Sequence, residues 1–138
     1  MVVGILIVDD DADTGEAMSE LLAHQGFEVA LATDGQRALE ALRGAAKSPW
    51  VEVDLVRINP IGSHMDADPE TVVSVIREMR AAGKGIVGMK ILGQGDLRHK
   101  QDEALRYALG LGLLDAFTIG AESVSEQTDL MKRISAVT

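Results

Sequence analysis

The chain has 138 residues, 46% of them apolar and 25% charged, a length and composition suited to one soluble domain with a real core. Its formal net charge of −9 opposes nucleic-acid binding, which draws its affinity from clustered Lys and Arg. Cysteine is absent, which excludes disulfides, thiolate-held clusters and thiol nucleophiles, and aromatics are only 3%, so the core must be aliphatic.

The first element is an apolar run, Val2 to Val8, closed by Asp9, Asp10 and Asp11. A run without alternation reads as a parallel strand buried on both faces. It is too short and too quickly closed by charge to be a signal peptide or a membrane span, so a cytoplasmic protein, accessible to recombinant expression, is expected. Asp13 and Glu16 have capping-box spacing and open a helix with Ala17, Leu21 and Leu22 inward, ended by Gly26. Glu28 to Thr33 is a second strand with Val29 and Leu31 on one face. Asp34 is placed to cap a helix with Ala38, Leu39, Ala41 and Leu42 as its stripe, and Gly44 to Pro49 reads as a break.

Val51 to Ile58 is a third strand, followed by a long loop, Asn59 to Asp68. Asp68-Pro69 starts a helix in the favoured way, with Val72, Val75, Ile76 and Met79 inward and a stop at Gly83. Ile86 to Leu92 is a fourth strand, and Gly93 to Lys100 a loop without the Gly-Lys-Ser/Thr of a phosphate loop. A helix with Ala104, Leu105, Ala108 and Leu109 ends at Gly110 and Gly112. Ala116 to Ile119 is a fifth strand. Ser123 and Glu126 form a capping box for a last helix with Leu130, Ile134 and Val137 inward.

Five strand–helix units in alternation predict a parallel sheet. They are too few for an eight-stranded barrel. The expected fold is a single-domain, flavodoxin-like, doubly wound α/β sheet of five strands in the order 2-1-3-4-5, with helices on both faces. Ligands in such sheets sit at the carboxyl ends of the strands.

Residues 1 to about 45 resemble the first third of a response-regulator receiver domain. The likeness is carried by Ile5-Leu6-Ile7-Val8-Asp9-Asp10-Asp11, Leu21-Leu22, Gly26-Phe27-Glu28-Val29, and Ala32-Thr33-Asp34-Gly35 leading to Ala38-Leu39. It implies Mg²⁺ binding at Asp9 and Asp10. The bland alternative is that these are solvated acids at a strand end. It also implies that the phosphoacceptor position, at the end of strand three, falls on Asn59, whose amide is a far poorer nucleophile than a carboxylate. The family's Thr or Ser falls near Met89, and its Lys near Ile119, followed by Gly120 instead of Pro.

Residues from about 50 to 138 resemble the closing three strand–helix units of an aldo/keto reductase-like (β/α)8 barrel. The residues that carry this are Val56-Arg57-Ile58-Asn59-Pro60, Ala82 to Gly93, Asp102 to Leu109, and Asp115 to Gly120. The resemblance implies a phosphate-binding turn at Gly120 to Ser123, so Gly120 and Ser123 are candidates for a weak anion site. Ser123 as a plain helix cap is the alternative. The catalytic set of that family lies on earlier strands absent here. Tyr107 sits in a helical pattern and reads as a packing residue.

Together the two likenesses imply a chimera of a receiver-like segment, 1–48, and a barrel-derived segment, 49–138. The expected function is that of an engineered structural protein, de novo or chimeric, with no evolved catalytic activity. The alternative is a pseudo-receiver binding module with residual weak Mg²⁺ or phosphate binding. No cofactor is expected beyond that possible Mg²⁺, and no partner, nucleic acid or membrane. A monomer or weak homodimer is expected. His24 suits a helix C-terminus, His64 has Asp66 beside it in the long loop, and His99 with Arg98 and Lys100 reads as a basic exposed turn.

Overall fold

The structure is a computed structural model that describes residues 4–8, 11–32, 35–49 and 51–137, with the backbone alone described at 4, 6, 8, 35–38, 41 and 42. The elements alternate as β1 (Gly4–Val8), α1 (Ala12–His24), β2 (Glu28–Ala32), α2 (Gly35–Lys47), β3 (Val53–Arg57), α3 (Pro69–Ala81), β4 (Gly85–Met89), α4 (Gln101–Gly110), β5 (Ala116–Phe117) and α5 (Val124–Val137). All ladders are parallel. β1 pairs with β2, Ile5 beside Val29 and Ile7 beside Leu31. β3 pairs with β4, and β4 with β5.

Two features of the expected fold are corrected. The hydrogen-bonded orders are β1-β2 and β3-β4-β5, and no β1–β3 ladder joins them among the described residues. The expectation of helices on both faces also fails for β3–β5. Val56 and Ile86 point into a cluster with Val72, Val75, Ile76 and Met79 of α3. On the same side, Phe117 and Ile119 pack with Leu105 and Ala108 of α4 and with Ile134 and Val137 of α5. All three helices therefore lie on one face. On the other face Val53 and Leu55 are 54% and 57% exposed.

α3 forms as its sequence requires. The Asp68 carboxylate accepts from the Thr71 amide at 3.0 Å and from its hydroxyl at 2.6 Å, and the Thr71 hydroxyl holds the carboxyl below its ordinary range. Pro69 fills the first turn, where its missing N–H costs nothing. α1 differs from expectation. Its cap is Asp11, which accepts from the Thr14 amide at 3.1 Å, and Asp13 lies in the first turn. Its packed position is Gly15, where a Cβ would come within 2.7 Å of Leu31, while Leu21 is 65% exposed. α2 runs through Gly44 to Lys47 instead of breaking there. One glycine costs a helix about 1 kcal/mol, and Ala45 beyond it is buried in the α3 cluster. β4 stops at Met89 and β5 at Phe117, both short of the predicted ends. Asp34, read as a cap, and Trp50 lie outside the described residues.

Asp115 locks the second sheet to α3. It accepts from Arg80 at 2.8 Å and from the Ile86 amide at 2.8 Å, and the Arg80 guanidinium holds its carboxyl below the usual range. Asp54, on the helix-covered face, is pushed up to about 6 by burial and then by the negative charge of Asp66.

Two consequences are measurable. Ile86 is fully buried, so Ile86→Ala should cost about 2–5 kcal/mol in a urea titration. Asp54 has a folded pKa above its unfolded value, so its stabilising contribution is present below pH 3.8 and lost as pH rises through about 6. Asp54→Asn should therefore stabilise the chain above that pH, by up to about 3 kcal/mol, with little effect near pH 4. A gain independent of pH would contradict the buried carboxyl.

Candidate functional site at the carboxyl ends of β3, β4 and β5

Asn59 follows β3 and is fully buried. Its side-chain nitrogen donates to the carbonyls of Ser63 at 2.7 Å and Lys90 at 3.2 Å. Its side-chain oxygen accepts from the amides of Ile61 at 3.3 Å and Ser63 at 3.1 Å. The bond to Ile61, two residues on, is an Asx turn, which Asn forms readily. The residue read as a degenerate phosphoacceptor is thus a clamp between the β3–α3 and β4–α4 loops.

A second tie joins the same loops. The Ser63 hydroxyl donates to Asp96, and His64 Nε2 lies 3.7 Å from the same carboxylate. Within the first loop, Arg57 donates to Asp66 at 3.1 Å. His64 thus faces Asp96.

Among the described residues three non-glycines adopt left-handed backbone, His64 (φ 53°), Lys90 (φ 56°) and Gln94 (φ 57°), and all lie in these two loops. Such backbone costs about 1–3 kcal/mol per residue and gathers at ligand sites. Lys90 Nζ donates to Gln94 Oε1 at 2.9 Å. Both line a cleft of about 570 Å³ between the loops that follow β4 and β5. Arg98, Gln101, Thr118, Glu122 and Glu126 add polar side chains to its wall, and Gly120 lines it as well. Arg98 Nε donates to the Gly95 carbonyl at 3.1 Å.

The structure separates the two anion-site candidates. Gly120 lines this cleft. Ser123 caps α5, its hydroxyl accepting from the Glu126 amide at 3.2 Å. Glu126 in turn accepts from the Glu122 amide at 2.7 Å, so an internal carboxylate holds the amide that precedes the cap. Asp9 and Asp10 lie outside the described residues. Among the described residues no group of three His, Asp or Glu side chains is placed to hold a metal. Tyr107 packs half-buried beside the α3 cluster, and burial raises its hydroxyl above the ordinary value.

Sequence reasoning passed over Gln94 and Gln101 and read Arg98 as a plain exposed turn. Nothing in their residue types announces the left-handed turns that gather them. The Asn-Pro pair was a usable signal for the clamp, since Asn before a turn commonly bonds its own backbone.

No protein-family model matches the chain, and no curated protein matches it. Among solved structures it is similar to an adenylate cyclase from Rhodopirellula baltica, with 19% identity, a TM-score of 0.50, and coverage of 99% of this chain and 90% of that one. It is also similar to NtrX from Brucella abortus in complex with ATP (20%, TM-score 0.46, 99% of this chain and 28% of that chain). A third is a CheY-like response regulator receiver domain protein from Methanospirillum hungatei JF-1 (19%, TM-score 0.43, 96% and 91%). The first shows a shared α/β fold with a parallel sheet and helices, and the fold likeness rests on it alone. It spans both segments of the chain, and so gives the barrel resemblance of residues 50–138 no support. No helix among the described residues is long and apolar enough to cross a membrane.

Asn59→Asp is informative here. The new carboxylate would face the carbonyls of Ser63 and Lys90 with no donor between them. It should destabilise the chain by at least about 2 kcal/mol at pH 7, and by less at acid pH, where the carboxyl is protonated. Chemical denaturation at pH 4 and 7 measures this, and an equal loss at both would rule out a buried charge as the cause.

Proposed function

We propose that the chain is a non-catalytic binding module of receiver-like α/β architecture that holds a small anion at the carboxyl edge of its sheet. The observation that carries this is Asn59. A receiver-type acceptor must present an accessible carboxylate at the end of β3. Here an amide occupies the position, fully buried, with its donors and acceptor engaged. Binding without phosphotransfer is the reading this favours.

The anion preference comes from Lys90 and Arg98. Each bonds a neutral group, Gln94 Oε1 and the Gly95 carbonyl. Both face a cleft large enough for a small ligand. Glu122 and Glu126 on the far wall limit the affinity. Millimolar binding, about −4 kcal/mol, is the expected strength.

A second reading, a structural protein joined from two unrelated segments and without evolved activity, is favoured by one observation. The hydrogen-bonded ladder breaks between α2 and β3, at the seam of the two sequence likenesses. Beyond that seam α3, α4 and α5 share one face, as helices do around a barrel.

The test is an amide-shift titration with inorganic phosphate. Shifts should gather at Lys90 to Arg98 and at Gly120, and a Lys90→Ala, Arg98→Ala variant should lose them. No shift at tens of millimolar would leave the second reading. In parallel, Mg²⁺ with a small phosphoryl donor should add no mass to the chain. A stoichiometric phosphate adduct would overturn the non-catalytic assignment.

A further inference from the structure

We propose that the cleft takes a small zwitterion, an aminoalkyl phosphate, whose phosphate is held from the β4 side and whose ammonium is held from the β5 side. The inference rests on the anion reading of the same cleft and adds the opposite end of the ligand.

The charges of the cleft are sorted by strand. β4 and β5 part after the Thr118 amide donates to the Gly88 carbonyl at 2.8 Å. Beyond β4 the chain brings Lys90 and Arg98 to the lining, and beyond β5 it brings Glu122 and Glu126. The acid of the first loop, Asp96, is bonded to Ser63 and stays out of the lining. One wall is therefore cationic and the other anionic.

The two walls do not neutralise each other. Among the described residues Lys90 and Arg98 bond Gln94 Oε1 and the Gly95 carbonyl, and no ion pair crosses the cleft. An ammonium has three hydrogens, and Lys90 has spent one on Gln94. Arg98 has spent its Nε–H, which leaves its terminal nitrogens. Glu126 has given one oxygen to the Glu122 amide, which leaves its other oxygen and the Glu122 carboxylate. Donors remain on one wall and acceptors on the other.

That arrangement selects a ligand with two ends. A phosphate monoester carries a charge of about −1.5 to −2 at pH 7, enough to answer both Lys90 and Arg98. Bare phosphate would set a like charge against Glu122 and Glu126. An ammonium on the same molecule turns that repulsion into attraction. It also lowers the net charge of a ligand approaching a chain of net charge −9.

Size points the same way. The volume of about 570 Å³ falls among those of organic-ligand pockets, about 300–1,000 Å³, and is far more than inorganic phosphate fills. Leu92, Ile119 and Ala121 also line it and suit a short alkyl body between the two charges.

Amide-shift titrations of the full chain with inorganic phosphate, propyl phosphate and 3-aminopropyl phosphate test this at pH 8, where the phosphate is charged and the amine still protonated. The amino compound should bind about fivefold more tightly than propyl phosphate, the gain of a favourable exposed ion pair. Its shifts should extend from Lys90–Arg98 to Glu122–Glu126. With Glu122→Gln and Glu126→Gln together the preference should vanish and propyl phosphate should bind more tightly. The substituted side chain at 126 keeps an oxygen for the backbone amide of 122, so the start of α5 is retained. Equal affinity for the two alkyl phosphates in the unaltered chain, shifts that gather elsewhere, or a preference that survives both substitutions would overturn the inference. Inorganic phosphate shifts at Lys90 to Arg98 would still uphold the anion reading in each of those cases. Failure of all three probes to bind would overturn both.

Discussion

A primary amide has two hydrogens to give and two lone pairs to accept with, and Asn59 has used them all. Buried without those partners it would cost more than it contributes. With them it fixes three things together. The loop after β3 must turn back on Asn59 within four residues. The carbonyl of Lys90 must point at the same amide. Because β4 ends at Met89, that carbonyl belongs to a residue already leaving the sheet, and Lys90 takes left-handed backbone. Its side chain then reaches Gln94 and lines the cleft. The Ile58 amide, donating to the Met89 carbonyl at 3.0 Å, extends the β3–β4 pairing up to the clamp. The geometry of the cleft thus descends from one buried side chain just beyond a neighbouring strand.

The one-faced sheet follows from topology, not from any weakness of the helices. With right-handed crossovers, strands added successively on one side place every connecting helix on one face. β3, β4 and β5 are added that way. A helix for the far face would have to come from a unit stepping the other way or from the terminal α5, which packs instead beside α4 on the covered face. The short β5 adds to the effect. It has two ladder residues, Ala116 and Phe117, so the chain leaves the sheet early and α5 packs back over Phe117.

The sequence announces elements whose signals are local. Asp68-Pro69 with Val72, Val75, Ile76 and Met79 states both the start of α3 and its inward face, and the structure agrees at each residue. The capping role of Ser123 was equally plain. Three kinds of feature were not readable. An amphipathic helix has the same period whichever face of a sheet it covers, so alternation alone could not distinguish one covered face from two. The capping-box spacing points to Asp13 as the cap of α1, and Asp11, two residues earlier, takes that place. Left-handed backbone at His64, Lys90 and Gln94 is imposed by tertiary bonds, and these residue types give no warning of it, unlike glycine.

Charge needs a local accounting at the cleft, because the chain as a whole repels anions. It carries 22 acidic against 13 basic residues. Several cations are committed to carboxylates, Arg57 to Asp66, Arg80 to Asp115, and Arg133 to both Asp102 and Asp129. Lys90 and Arg98 instead bond neutral oxygens, so their charge is not offset at the contact. Salt screens exposed charges beyond about 8 Å at physiological ionic strength, which removes most of the distant acids from the balance. Asp96 of the same loop is bonded to Ser63, which leaves Glu122 and Glu126 as the carboxylates that line the cleft. Glu126 spends one oxygen on the Glu122 amide, so the positive end of α5 is partly answered from within. An incoming anion therefore has to be held from the β4 side, by Lys90 and Arg98, with the start of α5 contributing shape more than charge.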